Sequence, residues 1–250
     1  MVRNLLALVL IVFIIGLITY GAFYSALTLA NPDNPLNRSY RKYFLKRYVL
    51  RSAFRLNRIG DARFEFGSSD EFPTLAVNVF SQNGEQLSAA TLERVISELA
   101  RITDKPSGII LNVTERLSGL SGQSSDDDLK RLSEGYGPGF DFRRKRAAVN
   151  LFVLNSYTGL PSLTGLVRDD HSIFIFMETV RQVARFQNDS VGTEVSTILH
   201  EFGHLMGADH SGECIMSPVV EDATYENLPT RIAENYCESD IREIGNALIN

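Results

Sequence analysis

Three of the chain's four histidines lie in one short segment, at His200, His204 and His210. Apolar residues recur through this segment at the spacing of one helical face, which predicts an amphipathic helix beginning near Ser190 or Thr193. His200 and His204 are four residues apart, so their rings lie one helical turn apart and can bind the same metal ion. The segment therefore requires a helix with one apolar side and one ligand-bearing side.

The residues around these histidines indicate which chemistry the metal would support. Glu201 follows the first ligand, where it can accept a proton from a metal-activated water without occupying a coordination position. Gly207 predicts the end of the helix, after which His210 can turn back as the third ligand. Three neutral imidazoles leave a fourth position open for water, as in catalytic zinc sites. His171, at the start of a predicted strand, is expected to be structural.

The extended pattern resembles the metzincin clan of zinc endopeptidases, whose signature is H-E-x-x-H-x-x-G-x-x-H followed by a methionine turn. The resemblance implies that Met216 lies beneath the zinc and supports its ligands without binding it. It also implies an endopeptidase acting on peptide or protein substrates, with Glu201 as general base. The alternative is a non-catalytic, membrane-anchored module that retains zinc, although a structural site has no use for Glu201.

Within the clan, the residues after the third histidine resemble more than one group. Ser211 looks like matrixins, and archaemetzincins would place a zinc-binding cysteine there. Cys214 and Cys237 look like adamalysins, in which a cysteine beside the methionine turn is bonded to one near the final helix. The resemblance thus implies a disulfide, with two reduced buried thiols as the alternative. Pro218 stands where astacins and serralysins place a tyrosine, so zinc itself would carry most of the oxyanion stabilisation.

The residues before the histidine segment predict an α/β arrangement. Four apolar runs predict strands, at residues 74–80, 108–113, 147–154 and 172–177. Helices are predicted at 89–102 and 239–249, and the resemblance implies an edge strand within 160–168 that would hold an extended substrate. Short strand-helix-strand connections indicate parallel strands with helices packed on the sheet. Together with the resemblance, these elements predict an α+β fold: a twisted, mostly parallel five-stranded sheet with an active-site helix and a small C-terminal subdomain.

An uncharged apolar run lies near the N-terminus. It extends from Leu5 to Ala30, which is long enough to cross a bilayer. A transmembrane anchor is therefore predicted over residues 1–32. A cleavable signal peptide is the alternative, because Thr28 and Ala30 would form a small-residue cleavage site.

Charge and composition bound the rest of the chain. Residues 33–72 are rich in arginine and lysine and are predicted to be a basic juxtamembrane linker, followed by a catalytic domain over residues 73–250. A net charge of -5 gives no electrostatic basis for binding nucleic acid. The positive-inside rule favours a cytoplasmic domain, whereas the family resemblance implies an extracytoplasmic one. The sequence leaves the side of the membrane open.

Overall fold

The computed structural model describes residues 2–28, 41, 43–54, 56–117, 119–120, 122–137, 140–141, 144–210, 214–218 and 233–249. The chain forms two compact units, Met1–Leu56 and Asn57–Asn250. The larger unit begins before the boundary that the sequence placed at residue 73, because Phe66 and Phe72 are buried within it. Part of the expected juxtamembrane linker therefore belongs to the larger unit.

The N-terminal unit contains one long apolar helix, α1, which spans Val2–Thr28. Its stretch Leu6–Ala26 is long and apolar enough to cross a membrane, a property that anchors share with signal sequences. A short helix, α2, spans Tyr48–Ala53. Just after it, the ring of Phe54 stacks on that of Tyr20, with centroids 5.0 Å apart. The chain therefore folds back on the second half of α1.

A mostly parallel sheet forms the centre of the larger unit. The elements in chain order are α3 (Arg63–Gly67), β1 (Thr74–Gln82), α4 (Ala89–Thr103), β2 (Ile109–Leu117), β3 (Gln123–Ser124), α5 (Asp126–Gly135), β4 (Phe140–Asp141), β5 (Arg146–Leu154), β6 (Ser156–Tyr157), β7 (Gly165–Val167), β8 (Ser172–Phe176), α6 (Met177–Gln187), α7 (Ser190–Leu205) and α8 (Glu238–Ile249). Among the described residues, five strands lie in the order β2-β1-β5-β8-β7. All neighbours are parallel except β7 and β8, and the two-residue β4 pairs antiparallel with β5. The predicted fold class is confirmed.

Alternation along the strands gives the sheet two buried faces. On one face, Phe80, Phe152 and Phe174 occupy neighbouring register positions of β1, β5 and β8. Their ring centroids are 5.3 and 4.8 Å apart, and Leu129 of α5 packs in the same cluster. Valine, leucine and isoleucine side chains line the opposite face. Burial on both faces is typical of parallel sheets.

Helix α7, which carries two of the histidines, is buried around most of its circumference. It begins one residue after Asp189, whose side chain accepts a hydrogen bond from the Gly192 backbone amide at 2.8 Å. The sequence had placed the cap at Ser190 or Thr193. The ligand-bearing side was expected to separate from an apolar side, yet Thr197 and Glu201 are each only 1% exposed. Both sides of this helix are therefore covered by protein.

A buried lysine, Lys105, binds the segment that connects α3 to the start of β1. The Lys105 ammonium donates hydrogen bonds to the carbonyl oxygens of Glu65 and Ser68, each at 2.7 Å, and of Phe72 at 2.8 Å. Lys105 itself is buried. One side chain thus satisfies three carbonyls in the segment that leads from α3 into the sheet.

We expect Lys105→Met to lower the free energy of unfolding by about 3 kcal/mol, because three carbonyls lose a charged donor. Denaturant unfolding of the full chain in detergent, followed by circular dichroism, measures the loss. Lys130→Met is the matched control, since Lys130 is exposed and lies 3.9 Å from Glu134 on the surface of α5. That change should cost no more than about 0.5 kcal/mol. Equal, small losses in both variants would contradict the role of Lys105.

Candidate metal centre

Helix α7 and the turn after it bring three histidine rings together. The ring centroids of His200 and His204 are 4.8 Å apart, and the ring of His210 lies 5.3 and 4.9 Å from them. The nitrogen atoms that the three rings offer lie within 4.8 Å of one another. Gly207 has a φ of +84°, the left-handed conformation that ends the helix and redirects the chain toward His210.

Backbone carbonyls orient the first two rings. His200 Nδ1 is 2.7 Å from the carbonyl oxygen of Ile215, and His204 Nδ1 is 2.9 Å from that of Ala208. A carbonyl oxygen can only accept, so each Nδ1 carries a proton and each Nε2 of a neutral ring presents a lone pair.

The spacing of the two Nε2 atoms fits a shared metal ion. They are 3.2 Å apart. Two ligand nitrogens on a tetrahedral zinc, each bonded at about 2.05 Å, would be about 3.3 Å apart. The donor set is also suitable, because imidazole nitrogens are common zinc ligands. The residues present therefore fit zinc.

Glu201 lies between α7 and the edge of the sheet. Its side chain is in contact with Gly165 of β7, where a Cβ atom would be 3.0 Å from both Glu201 Cγ and Oε1. Among the described strands, β7 is the last on this side of the sheet. Its outer edge can therefore pair with an extended peptide directly beside the carboxylate. The edge strand had been predicted more broadly, within residues 160–168.

The segment from Cys214 to Met216 supports α7 below the histidines. Met216 is fully buried and packs against Gly203, where any Cβ would collide with the methionine sulfur. Ile215 supplies the carbonyl that orients His200. Cys214 is joined to Cys237 by a disulfide bond, with the two Cα atoms 6.0 Å apart. The disulfide thus holds the segment that orients the first histidine.

Tyr236 was not selected from the sequence, although it stands beside one cysteine of the disulfide. Its buried hydroxyl donates to the Leu199 carbonyl oxygen, and its backbone amide donates to Glu98 Oε1 at 2.9 Å. Burial raises the pKa of Tyr236 well above its usual value, and the negative charges of Glu98, Asp240 and Glu201 add to this effect. The phenol therefore stays protonated and remains a donor to α7.

Ser211 and Pro218 are the two other residues on which the resemblance to particular groups of the clan depends. Ser211, on which the matrixin likeness depends, lies outside the described residues. Pro218 is exposed and offers no hydroxyl group.

Comparisons with known proteins find a similar fold among solved structures, at low sequence identity. No protein-family model matches the sequence, and no curated protein matches it. The structure is similar to archaemetzincin from Methanopyrus kandleri, with a TM-score of 0.50 and 16% identity over 73% of this chain and 99% of that one. For archaemetzincin from Archaeoglobus fulgidus complexed with malonate, the TM-score is 0.44 and the identity 13%, over 68% and 99%. The likeness to the Methanopyrus kandleri structure shows an archaemetzincin-like fold, and it favours neither matrixins nor adamalysins.

A second group of metal-binding residue types lies at the start of β8. Asp169, Asp170 and His171 offer atoms within 4.8 Å of one another. However, the Asp169 carboxylate accepts hydrogen bonds from the backbone amides of His171 and Ser172, at 2.9 and 2.7 Å. Asp170 Oδ1 lies 2.6 Å from His171 Nδ1. Asp169 therefore caps the start of β8, and Asp170 forms an ion pair with His171. Both contacts agree with the structural role expected for His171.

The ion pair makes the stability of this strand start depend on pH. Burial lowers the pKa of His171, but the hydrogen bond to Asp170 and the charges of Asp169 and Asp170 outweigh it, so the pKa is raised. A raised folded-state pKa stabilises the protein fully below the unfolded value of about 6.5. This stabilisation is lost as the pH rises through the folded-state pKa.

We expect His171→Gln to lower the free energy of unfolding by about 1–3 kcal/mol at about pH 5.5, and by clearly less at about pH 9. Denaturant unfolding of both proteins at matched metal content measures the difference. Asp170→Asn should reduce the same pH dependence, because it removes the closer of the two carboxylates and leaves Asp169 3.4 Å from His171 Nδ1. A difference between wild type and His171→Gln that stays constant with pH would rule out this charged pair.

Proposed function

We propose that the chain is a zinc-dependent endopeptidase with His200, His204 and His210 as the zinc ligands and Glu201 as the general base. The observation that carries the proposal is the pair of Nε2 atoms 3.2 Å apart, each on a ring whose Nδ1 donates to a carbonyl. The archaemetzincin-like fold supports metallopeptidase activity. Within the clan, the disulfide at Cys214 supports the adamalysin side of the resemblance.

The chain's own residues divide the catalytic work. When bound, zinc would polarise the substrate carbonyl as a Lewis acid and would lower the pKa of a water molecule. Glu201 accepts a proton from the attacking water and delivers it to the leaving amine. The carbonyls of Ile215 and Ala208 keep the Nδ1 protons in place, so that the Nε2 atoms remain ligands. Gly207 brings His210 to the other two rings, Met216 supports the helix, and β7 aligns an extended peptide by strand addition.

Replacing the base tests this assignment. In full-length protein purified in detergent, Glu201→Gln should lower kcat/KM for a protein substrate such as casein by about 10²–10⁴-fold. Zinc should still bind, because the three histidines are unchanged. Glu194→Gln is a matched control on the same helix, since Glu194 accepts a hydrogen bond from Thr91 at 2.5 Å and an amide oxygen can do the same. Its activity should equal that of wild type.

The outcomes separate the two functions that the sequence left open. Equal cleavage by wild type and Glu201→Gln would contradict the role of the glutamate. A wild-type protein that binds zinc through the three histidines but cleaves neither proteins nor peptides would instead support a non-catalytic, membrane-anchored zinc-binding module.

We further propose that α1 is an uncleaved single-pass anchor and that the larger unit lies outside the cytoplasm. The apolar stretch Leu6–Ala26 supports spanning. The Cys214–Cys237 disulfide supports an oxidising compartment. The basic residues after α1 favour the opposite orientation. The proposed orientation follows the disulfide, because Cys214 precedes Ile215, whose carbonyl orients His200.

Thiol labelling of the native membrane fraction tests the location of the larger unit, and N-terminal sequencing of the mature protein tests the anchor. After denaturation, wild-type protein should react with a maleimide reagent only when a reductant is added first. Cys214→Ser is the control, because it frees Cys237 for labelling without reductant. Two reactive thiols in unreduced wild type would place the unit in the cytoplasm. A mature N-terminus near residue 31 would identify a cleaved signal peptide instead of an anchor.

A further inference from the structure

We propose that Gly165 is a positioning residue for the general base: the absence of a side chain at this position sets where the Glu201 carboxylate lies. The inference rests on the proposed peptidase function, because it concerns the same glutamate. It assigns a role to one residue of the edge strand that neither the motif nor the fold comparison marks.

Space, and not backbone conformation, accounts for glycine at this position. Gly165 begins β7 and pairs with Ile175 of β8. It is not among the described glycines with a positive φ, so other residues could adopt its backbone conformation. A Cβ at Gly165 would nevertheless lie 3.0 Å from Glu201 Cγ, 3.0 Å from Oε1 and 3.1 Å from the Phe174 carbonyl oxygen. Contacts between carbon atoms are optimal at about 3.5–4.0 Å.

The neighbours of Gly165 determine which group would move. The Phe174 carbonyl belongs to β8, inside the sheet, and the strand start is held by a hydrogen bond from the Phe176 amide to the Thr164 carbonyl at 2.8 Å. The Glu201 side chain is the group that can rotate. It is 1% exposed, so a rotation displaces the carboxylate within a closed space and not into solvent. A methyl group at 165 therefore acts on the base.

The kinetic test separates displacement of the base from displacement of the strand. Gly165→Ala in the full-length, zinc-loaded protein should lower kcat by about 10–100-fold, since small misplacements of catalytic groups have effects of this size. KM should change by less than about twofold, because the contact of 3.1 Å with the Phe174 carbonyl oxygen shifts β7 only slightly. The zinc content should stay the same, because the three histidines are unchanged. Gly135→Ala is the matched control, as nothing lies within 4 Å of a Cβ at that position. Its kcat should equal that of wild type.

A stability cycle tests the contact without relying on activity. In metal-free protein, Gly165→Ala should lower Tm by about 3–8 °C through overpacking. In the background of Glu201→Ala, two of the three nearest atoms that a Cβ at 165 would meet are gone and only the Phe174 carbonyl oxygen remains, so the same change should lower Tm by less than about 2 °C.

Each result bears on one proposal. Equal Tm losses in both backgrounds, an unchanged kcat, or a raised KM with kcat intact would each overturn the role of Gly165. A wild-type protein without proteolytic activity overturns the peptidase function. In that case the Tm cycle still decides whether Gly165 positions Glu201.

Discussion

The hydrogen bond from His200 Nδ1 to the Ile215 carbonyl oxygen is the contact on which the candidate metal centre depends. It fixes the tautomer of the first histidine and so directs its Nε2 toward the second ring. Its acceptor lies between a cysteine in a disulfide and a methionine packed against Gly203. The orientation of His200 therefore depends on covalent and packing contacts made far along the chain.

Burial of both sides of α7 changes the energetics of its polar residues. A buried carboxylate or imidazole costs free energy unless partners compensate it. The orienting carbonyls, the Tyr236 hydroxyl on the helix backbone and the close strand β7 form this enclosure. In such a setting charges interact more strongly than in water. A small displacement of the Glu201 carboxylate therefore changes its interaction energy with neighbouring groups more than it would in water. The helix is thus held by its polar side as well as by its apolar side.

Local patterns in the sequence predicted the main strands and helices, and they indicated three histidines that the structure brings together. The strands and the helix at 89–102 follow from apolar periodicity, and the histidine spacing follows from the helical turn, so both depend on near neighbours. The start of the larger unit also depends on Lys105, which donates to backbone carbonyls of Glu65 and Ser68, and no side-chain pattern reports such contacts. The cap at Asp189 was missed because several adjacent residues are capable of capping.

The residues that sequence reasoning missed at the site, Tyr236 and Gly165, share a physical reason. Each acts on α7 through a contact between segments distant in sequence, and such contacts exist only once the sheet and helices are packed. Glycine also carries no chemistry of its own, so a motif search for ligands and bases passes over it. Here the edge strand approaches Glu201 because β7 lacks a side chain at that point. The position of the carboxylate is therefore set by the sheet edge as much as by the helix that carries it.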